Sequence, residues 1–201
     1  MTWQALAADP WFWATVALVF AILFTVIPLL RKFTEKIELS AVQPWFHESD
    51  DLGDQKERVI NNFERIRGSL VYWKKKAAAF NALDDARVFW SIISSVTLPV
   101  LVQVYDSSQL FANVFFTSLT VWTGGLVTYA YTVKAEQKYQ GFRAIESDYY
   151  DASRDLLDFA KDSPDNLNER VDHYIRTVAK IREMARDVET GRPASAKRIM
   201  G

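Results

Sequence analysis

The sequence predicts an all-α membrane protein. Three transmembrane helices join a cytoplasmic antiparallel helical bundle, and the long helix before the second span runs on into the membrane. Three observations carry this. None of the 24 Lys and Arg residues among 201 falls in 1–30 or 88–133. Those windows hold three uncharged stretches, 11–30, 88–105 and 107–133. Each is about 18 residues or longer, the length at which an α-helix crosses a hydrocarbon core. Outside the windows, apolar residues recur at alternating steps of three and four, the spacing of helices that bury a narrow seam. A charged side chain at membrane depth costs about 2.5–3.5 kcal/mol, and soluble helices rarely run this long without one.

Along the chain, residues 1–32 form a transmembrane anchor that ends in Pro28-Leu29-Leu30-Arg31-Lys32. It lacks the basic lead and small-residue site of a cleaved signal peptide. Residues 33–53 are a connector, where Pro44 and Ser49-Asp50-Asp51 break the pattern and Asp50 or Asp51 is placed to cap a helix. Residues 54–87 are a cytoplasmic helix with the seam Val59, Phe63, Ile66, Leu70, Trp73, Ala77 and Phe80. Gly68 weakens it locally, yet one nearly continuous helix is expected from 54 to about 105. Residues 88–133 are a transmembrane hairpin.

Residues 134–190 are a cytoplasmic helical hairpin. Its first seam is Phe142, Ile145, Tyr149, Ala152, Leu156 and Phe159, and its second is Val171, Tyr174, Val178, Ile181, Ala185 and Val188. Ser163-Pro164-Asp165 separates them, because Pro disfavours helix in the residue before it. Gly191 and Pro193 end the second, and 191–201 is a flexible tail. Trp3, Trp11, Trp13, Tyr105, Tyr129 and Tyr131 sit at the ends of spans, as an aromatic belt does.

Basic residues stay on the cytoplasmic side of a membrane. Arg31, Lys32, Arg87, Lys134 and Lys138 flank the inner ends, whereas the outer segments carry only Asp9 and Asp106. The N-terminus is therefore expected outside and the C-terminus in the cytoplasm.

Several chemistries find no support. There are no cysteines, which excludes disulfides and thiolate chemistry. A net charge of −1 gives no global basic field. His47 and His173 lack a metal-ligand pattern, and Gly124-Gly125 lies in a span rather than in a phosphate loop. Asp84 and Asp85 beside Arg87 read as a solvated, paired turn. No catalytic constellation emerges, so neither an enzyme nor a cofactor is expected.

The third span is more informative. Asn113, Thr117, Thr120, Gly124 and Thr128 step along one helical face. Phe115, Phe116, Leu119, Trp122, Leu126 and Tyr129 lie elsewhere and suit lipid. The second span offers Ser91, Ser94, Ser95 and Thr97 before Pro99. Such residues either let membrane helices pack closely or line a water-filled path among several copies. With no acid or base in the spans, a proton relay is not expected.

The organisation resembles the SLATT family of two-span effector domains found beside nucleotidyltransferases in bacterial conflict systems. The residues that carry the resemblance are Tyr72-Trp73-Lys74-Lys75-Lys76-Ala77 before the hairpin and Tyr139-Gln140-Gly141-Phe142-Arg143 after it, with a long acidic helix following. It covers about residues 61–161, and the extra span 11–30 departs from the simplest form.

The resemblance implies a pore-forming effector of anti-phage defence in the bacterial inner membrane, a homo-oligomer with a tetramer favoured. Such a pore depolarises the membrane and kills or arrests the cell. The resemblance also implies control by a nucleotide second messenger from a partner nucleotidyltransferase or, as in the Hailong type, by a single-stranded DNA oligomer. It puts pore lining ahead of packing for Asn113, Thr117, Thr120, Gly124, Thr128, Ser91 and Ser95.

It further suggests that Lys74, Lys75, Lys76, Arg87, Lys134, Lys138 and Arg143 crowd the cytoplasmic mouth and grip phosphates. Trp73, Tyr139 and Phe142 would then stack on bases. The same basic residues would also sit there for topology alone. The rival readings are a non-channel scaffold that recruits a cytoplasmic partner through its bundle, and a sensor subunit that gates another protein. The charge asymmetry makes a direct prediction. A reporter active only in the cytoplasm should work when fused after Gly201 and fail when fused before Met1; the reverse would overturn the orientation.

Overall fold

The computed structural model describes residues 7–34, 46, 49–106, 108–162 and 166–191. Trp3, Pro44, His47, Ser163-Pro164-Asp165, Pro193 and the tail 192–201 lie outside them. Among the described residues every regular element is helical. The elements are α1 (Pro10–Thr34), a 3-10 turn (Gly53–Gln55), α2 (Lys56–Val102), α3 (Leu110–Thr132), α4 (Ala135–Asp162) and α5 (Leu167–Thr190). Helix α1, helix α3 and the helical stretch Gly53–Val102 are long and apolar enough to cross a membrane.

Helix α2 is unbroken over 47 residues, through Gly68 and Pro99. Within α1, Pro28 is likewise carried inside the helix. A span keeps such residues because the neighbouring turns and helices re-satisfy the freed backbone groups. The expected cap at Asp50 or Asp51 is not what starts α2. Leu52 precedes the 3-10 turn without a side-chain cap, and the Asp50 carboxylate instead pairs with Lys56 at 3.4 Å.

The chain divides into two compact units, Met1–Thr34 with Ala79–Glu136 and Glu35–Ala78 with Gln137–Gly201. In the first, Leu18 of α1, Leu83 and Trp90 of α2, and Phe115, Leu119 and Leu126 of α3 form one buried cluster. Trp11 packs its ring on Phe115 and Phe116 at 5.7 and 5.5 Å.

Each pair of spans is also joined by a hydrogen bond. Trp90 Nε1 donates to Thr25 Oγ1 at 3.0 Å. Ser94 and Thr123 share a hydroxyl contact of 2.7 Å. Thr15 Oγ1 reaches the Phe111 carbonyl at 3.4 Å. Such bonds contribute about 0.6 kcal/mol each in a membrane, so their value is mainly to fix register.

This cluster corrects one expectation. Phe115, Leu119 and Leu126 do not face lipid; they are 8%, 1% and 8% exposed. The apolar side of α3 is the side that packs on the other two spans. At the ends of the spans, Trp13, Tyr129 and Tyr131 are exposed. In the loop between α2 and α3, the Ser108 N–H donates to Asp106 at 2.9 Å, which holds that carboxyl below its ordinary range.

The second unit buries most of the three seams; Phe80 instead packs against the first unit's cluster, and Val188 is half-buried. From α2 come Val59, Phe63, Ile66, Leu70, Trp73 and Ala77, and from α5 Val171, Tyr174, Val178, Ile181 and Ala185. The α4 seam drifts. Phe142, Ile145, Tyr149 and Leu156 are buried, but Ser153 and Ala160 replace Ala152 and Phe159. A straight helix turns once per 3.6 residues and slips about 20° per heptad against a 3.5-residue repeat, so a step of four replaces a step of three. Contacts between α4 and α5 pair Tyr149 with Tyr174 and Asp155 with Arg170. Those between α2 and α5 pair Arg58 with Asp172 and Tyr72 with Glu189.

The connector also contributes to this core. Phe46 and Leu52 are fully buried, and the Phe46 ring lies 6.0 Å from both Phe63 and Tyr174. Burial pushes the hydroxyls of Tyr149 and Tyr174 above their ordinary pKa. They stay protonated and share a hydrogen bond of 3.2 Å.

Gly141 allows α4 to approach α5 closely. A Cβ there would lie 2.7 and 2.9 Å from the two methyls of Val188. Val has a stiff χ1, and both methyls are already close, so turning the side chain offers no relief. Gly141→Ala should therefore destabilise the chain by about 1–3 kcal/mol through overpacking, despite the better helix propensity of Ala. A lower thermal midpoint by circular dichroism, largely restored by adding Val188→Ala, is the expected result. No change in Gly141→Ala would mean the helices sit further apart.

Candidate functional site

Polar residues on the spans fall into two groups. One group works inside the first unit. Thr15, Thr25, Ser94 and Thr123 bind other spans, and Ser91 returns its hydroxyl to the Arg87 carbonyl at 2.7 Å. The second group faces outward. Thr117, Thr120, Gly124 and Thr128 of α3 are all exposed, on the face opposite Phe115, Leu119 and Leu126. Nothing lies within 4 Å of where a Gly124 Cβ would be, so no close packing within this chain requires the glycine.

Asn113 begins the same stripe, but it is half-buried and accepts a hydrogen bond from the Tyr105 hydroxyl. Ser95 is exposed and returns its hydroxyl to Ile92 at 2.8 Å. Its neighbours Ile92, Val96 and Val100 are exposed too, so this part of α2 is an apolar face with one hydroxyl. Ser91 is half-buried. The structure thus brings Asn113, Thr117, Thr120, Gly124 and Thr128 onto one face of α3, while Ser91 and Ser95 lie on α2.

The basic residues divide between the units. Lys74, Lys75, Lys76, Lys138 and Arg143 belong to the second; Arg87 and Lys134 belong to the first. Arg87 holds Asp84 through Nε at 2.8 Å and Nη2 at 2.7 Å, with Glu136 at 3.7 Å. Asp85 accepts a hydrogen bond from Asn81 at 2.8 Å. The Asp84 pairing is thus an i,i+3 contact within an unbroken helix, not in a turn.

Arg143 pairs with the buried Glu146 at 2.7 Å. Lys76 lies 5.4 Å from the centre of the Tyr72 ring. Lys74, Lys75 and Lys76 are half-buried, as expected where a long stem covers apolar surface and the ammonium reaches water. Lys134, in the link from α3 to α4, has φ of 54°.

Two expected stacking residues are corrected. Trp73 is 6% exposed and Phe142 is 2% exposed. Both are part of the bundle core, because each occupies a seam position, and neither offers a ring face to a base. Tyr139 is half-buried.

Sequence reasoning missed the core role of Phe46 and Leu52. It also missed Arg182, whose Nη2 is buried without a partner. The apolar residues flanking Pro44 and Gly53 were the only available signal for the first pair. Among the described residues no group of three or more His, Cys, Asp or Glu could hold a metal.

Compared with protein-family models, curated proteins and solved structures, the chain finds no match.

The three lysines provide a test that does not disturb the core. Changing Lys74, Lys75 and Lys76 to Gln should abolish binding of short single-stranded DNA and flatten its salt dependence if these residues grip phosphates. Filter binding at two salt concentrations measures this. Unaltered binding in the triple variant would leave the lysines a topological role only.

Proposed function

We propose that the chain is a pore-forming membrane effector of bacterial anti-phage defence. In this reading it is a homo-oligomeric ion channel of the inner membrane, similar to SLATT effectors, with its N-terminus outside and its bundle in the cytoplasm. A nucleotide or oligonucleotide controls it, and opening depolarises the membrane and arrests or kills the cell. The resemblance supplies the biological setting. The observation that carries the channel reading is the outward stripe Thr117, Thr120, Gly124 and Thr128.

Packing within one chain does not account for that stripe. The spans already hold one another through Thr15, Thr25, Ser94 and Thr123. An exposed polar stripe on a span meets either lipid, where hydroxyls gain nothing, or another copy and the water between copies. Several copies around an axis would place these hydroxyls along the path of ions.

The order of contacts favours an antiparallel α4–α5 pair: Gly141 meets Val188, Tyr149 meets Tyr174 and Asp155 meets Arg170. The cytoplasmic part of α2 runs with α5 instead, since Arg58 meets Asp172 and Tyr72 meets Glu189. The second reading is a non-channel scaffold that recruits a cytoplasmic partner. The second unit weakens it: among the described large apolar residues of that unit, Tyr72 alone is notably exposed, so the described part of the bundle presents little apolar surface to a partner.

Thr120→Asp separates the readings. In a pore the new carboxylates meet water, the protein assembles, and conduction shifts toward cations. In a dry helix interface the same change strands a charge at membrane depth at about 2.5–3.5 kcal/mol per chain. Leu119→Asp, inside the core cluster, should damage assembly under either reading. Flux from liposomes and the particle symmetry of the purified protein decide. If Thr120→Asp assembles but leaves flux and selectivity unchanged, the stripe does not line the path.

A further inference from the structure

A groove of about 330 Å³ runs between α2 and α5 inside the second unit. Its lining includes Gly68, Tyr72 and Trp73 from α2, and Arg182, Arg186 and Glu189 from α5. Arg182 and Arg186 are four residues apart, one turn along the same face. Arg182 Nη2 is buried and has no hydrogen-bond partner. Among the described residues neither guanidinium has a carboxylate within ion-pairing distance, as is also true of Arg65, Arg154 and Arg176 in the same unit, whereas Arg58 and Arg143 are paired at 2.6 and 2.7 Å. An unpaired buried donor on a charged group is unfavourable, and an anion would satisfy it.

Glycine at 68 is the second observation. Gly in a helix interior is less favourable than Ala, and a Cβ at this position would meet nothing within 4 Å. No packing contact requires the glycine, and the groove is open on that side. The opposite wall is already set. The Tyr72 hydroxyl donates to Glu189 at 2.6 Å, and its pKa is pushed up to about 12, chiefly by that bond, so the donor stays protonated. Two arginines against one glutamate leave the ionisable lining at +2 − 1 = +1.

We infer that this groove binds a small phosphorylated molecule, a phosphate monoester held between Arg182 and Arg186. Two guanidinium forks match the oxygens of a dianion better than those of a single carboxylate. Arg182 and Arg186 hold the phosphate through the guanidinium edges that line the groove. The organic part of the ligand lies over the gap at Gly68, where Glu189 can accept a hydrogen bond from it. This inference does not depend on the channel reading, because binding is measured without ion flux.

Isothermal titration of the full chain in detergent with phenyl phosphate tests it. The expected result is one site per chain, no heat of binding with benzyl alcohol, and weakening by at least about tenfold when Arg182 and Arg186 are both changed to Gln. Gly68→Leu fills the groove without altering charge, and should weaken binding equally while keeping full helicity by circular dichroism. Arg154→Gln, on α4 and outside the groove, should leave it unchanged. The inference is overturned if the wild-type chain does not bind phenyl phosphate, or if folded Gly68→Leu binds it as tightly as wild type. Binding of dihexanoyl phosphatidic acid alone would overturn it too, since the ligand would then be a lipid headgroup.

Discussion

A hydrocarbon core offers no water, so every polar group inside it must find its partner in protein. This constraint orders the membrane unit. Backbone groups are satisfied by helix. Side-chain hydroxyls are satisfied across spans, as in Ser94 with Thr123 and Thr25 with Trp90, or by their own helix, as in Ser91 and Ser95. The apolar cluster around Leu119 and Trp90 then packs where these bonds have set the register. With those demands met inside one chain, the threonines that still point outward stand apart.

The second unit is closed by a different force: the hydrophobic effect packs its interior over the seams of α2, α4 and α5. The few polar groups inside, such as Tyr149, Tyr174 and Ser153, bond to one another or to backbone. Helix α2 runs through both units as one uninterrupted element, uncharged in its later part and seamed in its earlier part.

The helices were legible in the sequence because their signals are periodic and long. Uncharged windows located the spans, and steps of three and four located Ile66, Tyr149 and Val178 in the core. What escaped was set by tertiary packing. Phe46 lies in a segment without helical period, so nothing local marks it as core. Leu119 and Leu126 are as apolar as any lipid-facing residue, and hydropathy cannot say whether a membrane leucine meets an acyl chain or another helix. Trp73 and Phe142 look like stacking residues in a basic context, yet their seam positions bury them. The drift from Ala152 to Ser153 is smaller still, a consequence of 3.6 not dividing into seven. The stripe from Thr117 to Thr128 was visible as a period, but only the fold shows that its own chain leaves it uncovered.

The link between α3 and α4 is very short. Thr132 ends one helix, Ala135 begins the next, and Lys134 sits between them in the left-handed region that most side chains avoid. A non-glycine residue there carries about 1–3 kcal/mol of backbone strain. By contrast, the chain enters the hairpin through an unbroken helical rod. The hairpin is thus joined to the rest of the chain asymmetrically: by continuous helix where the chain enters it, and by a two-residue link with one strained residue where the chain leaves it.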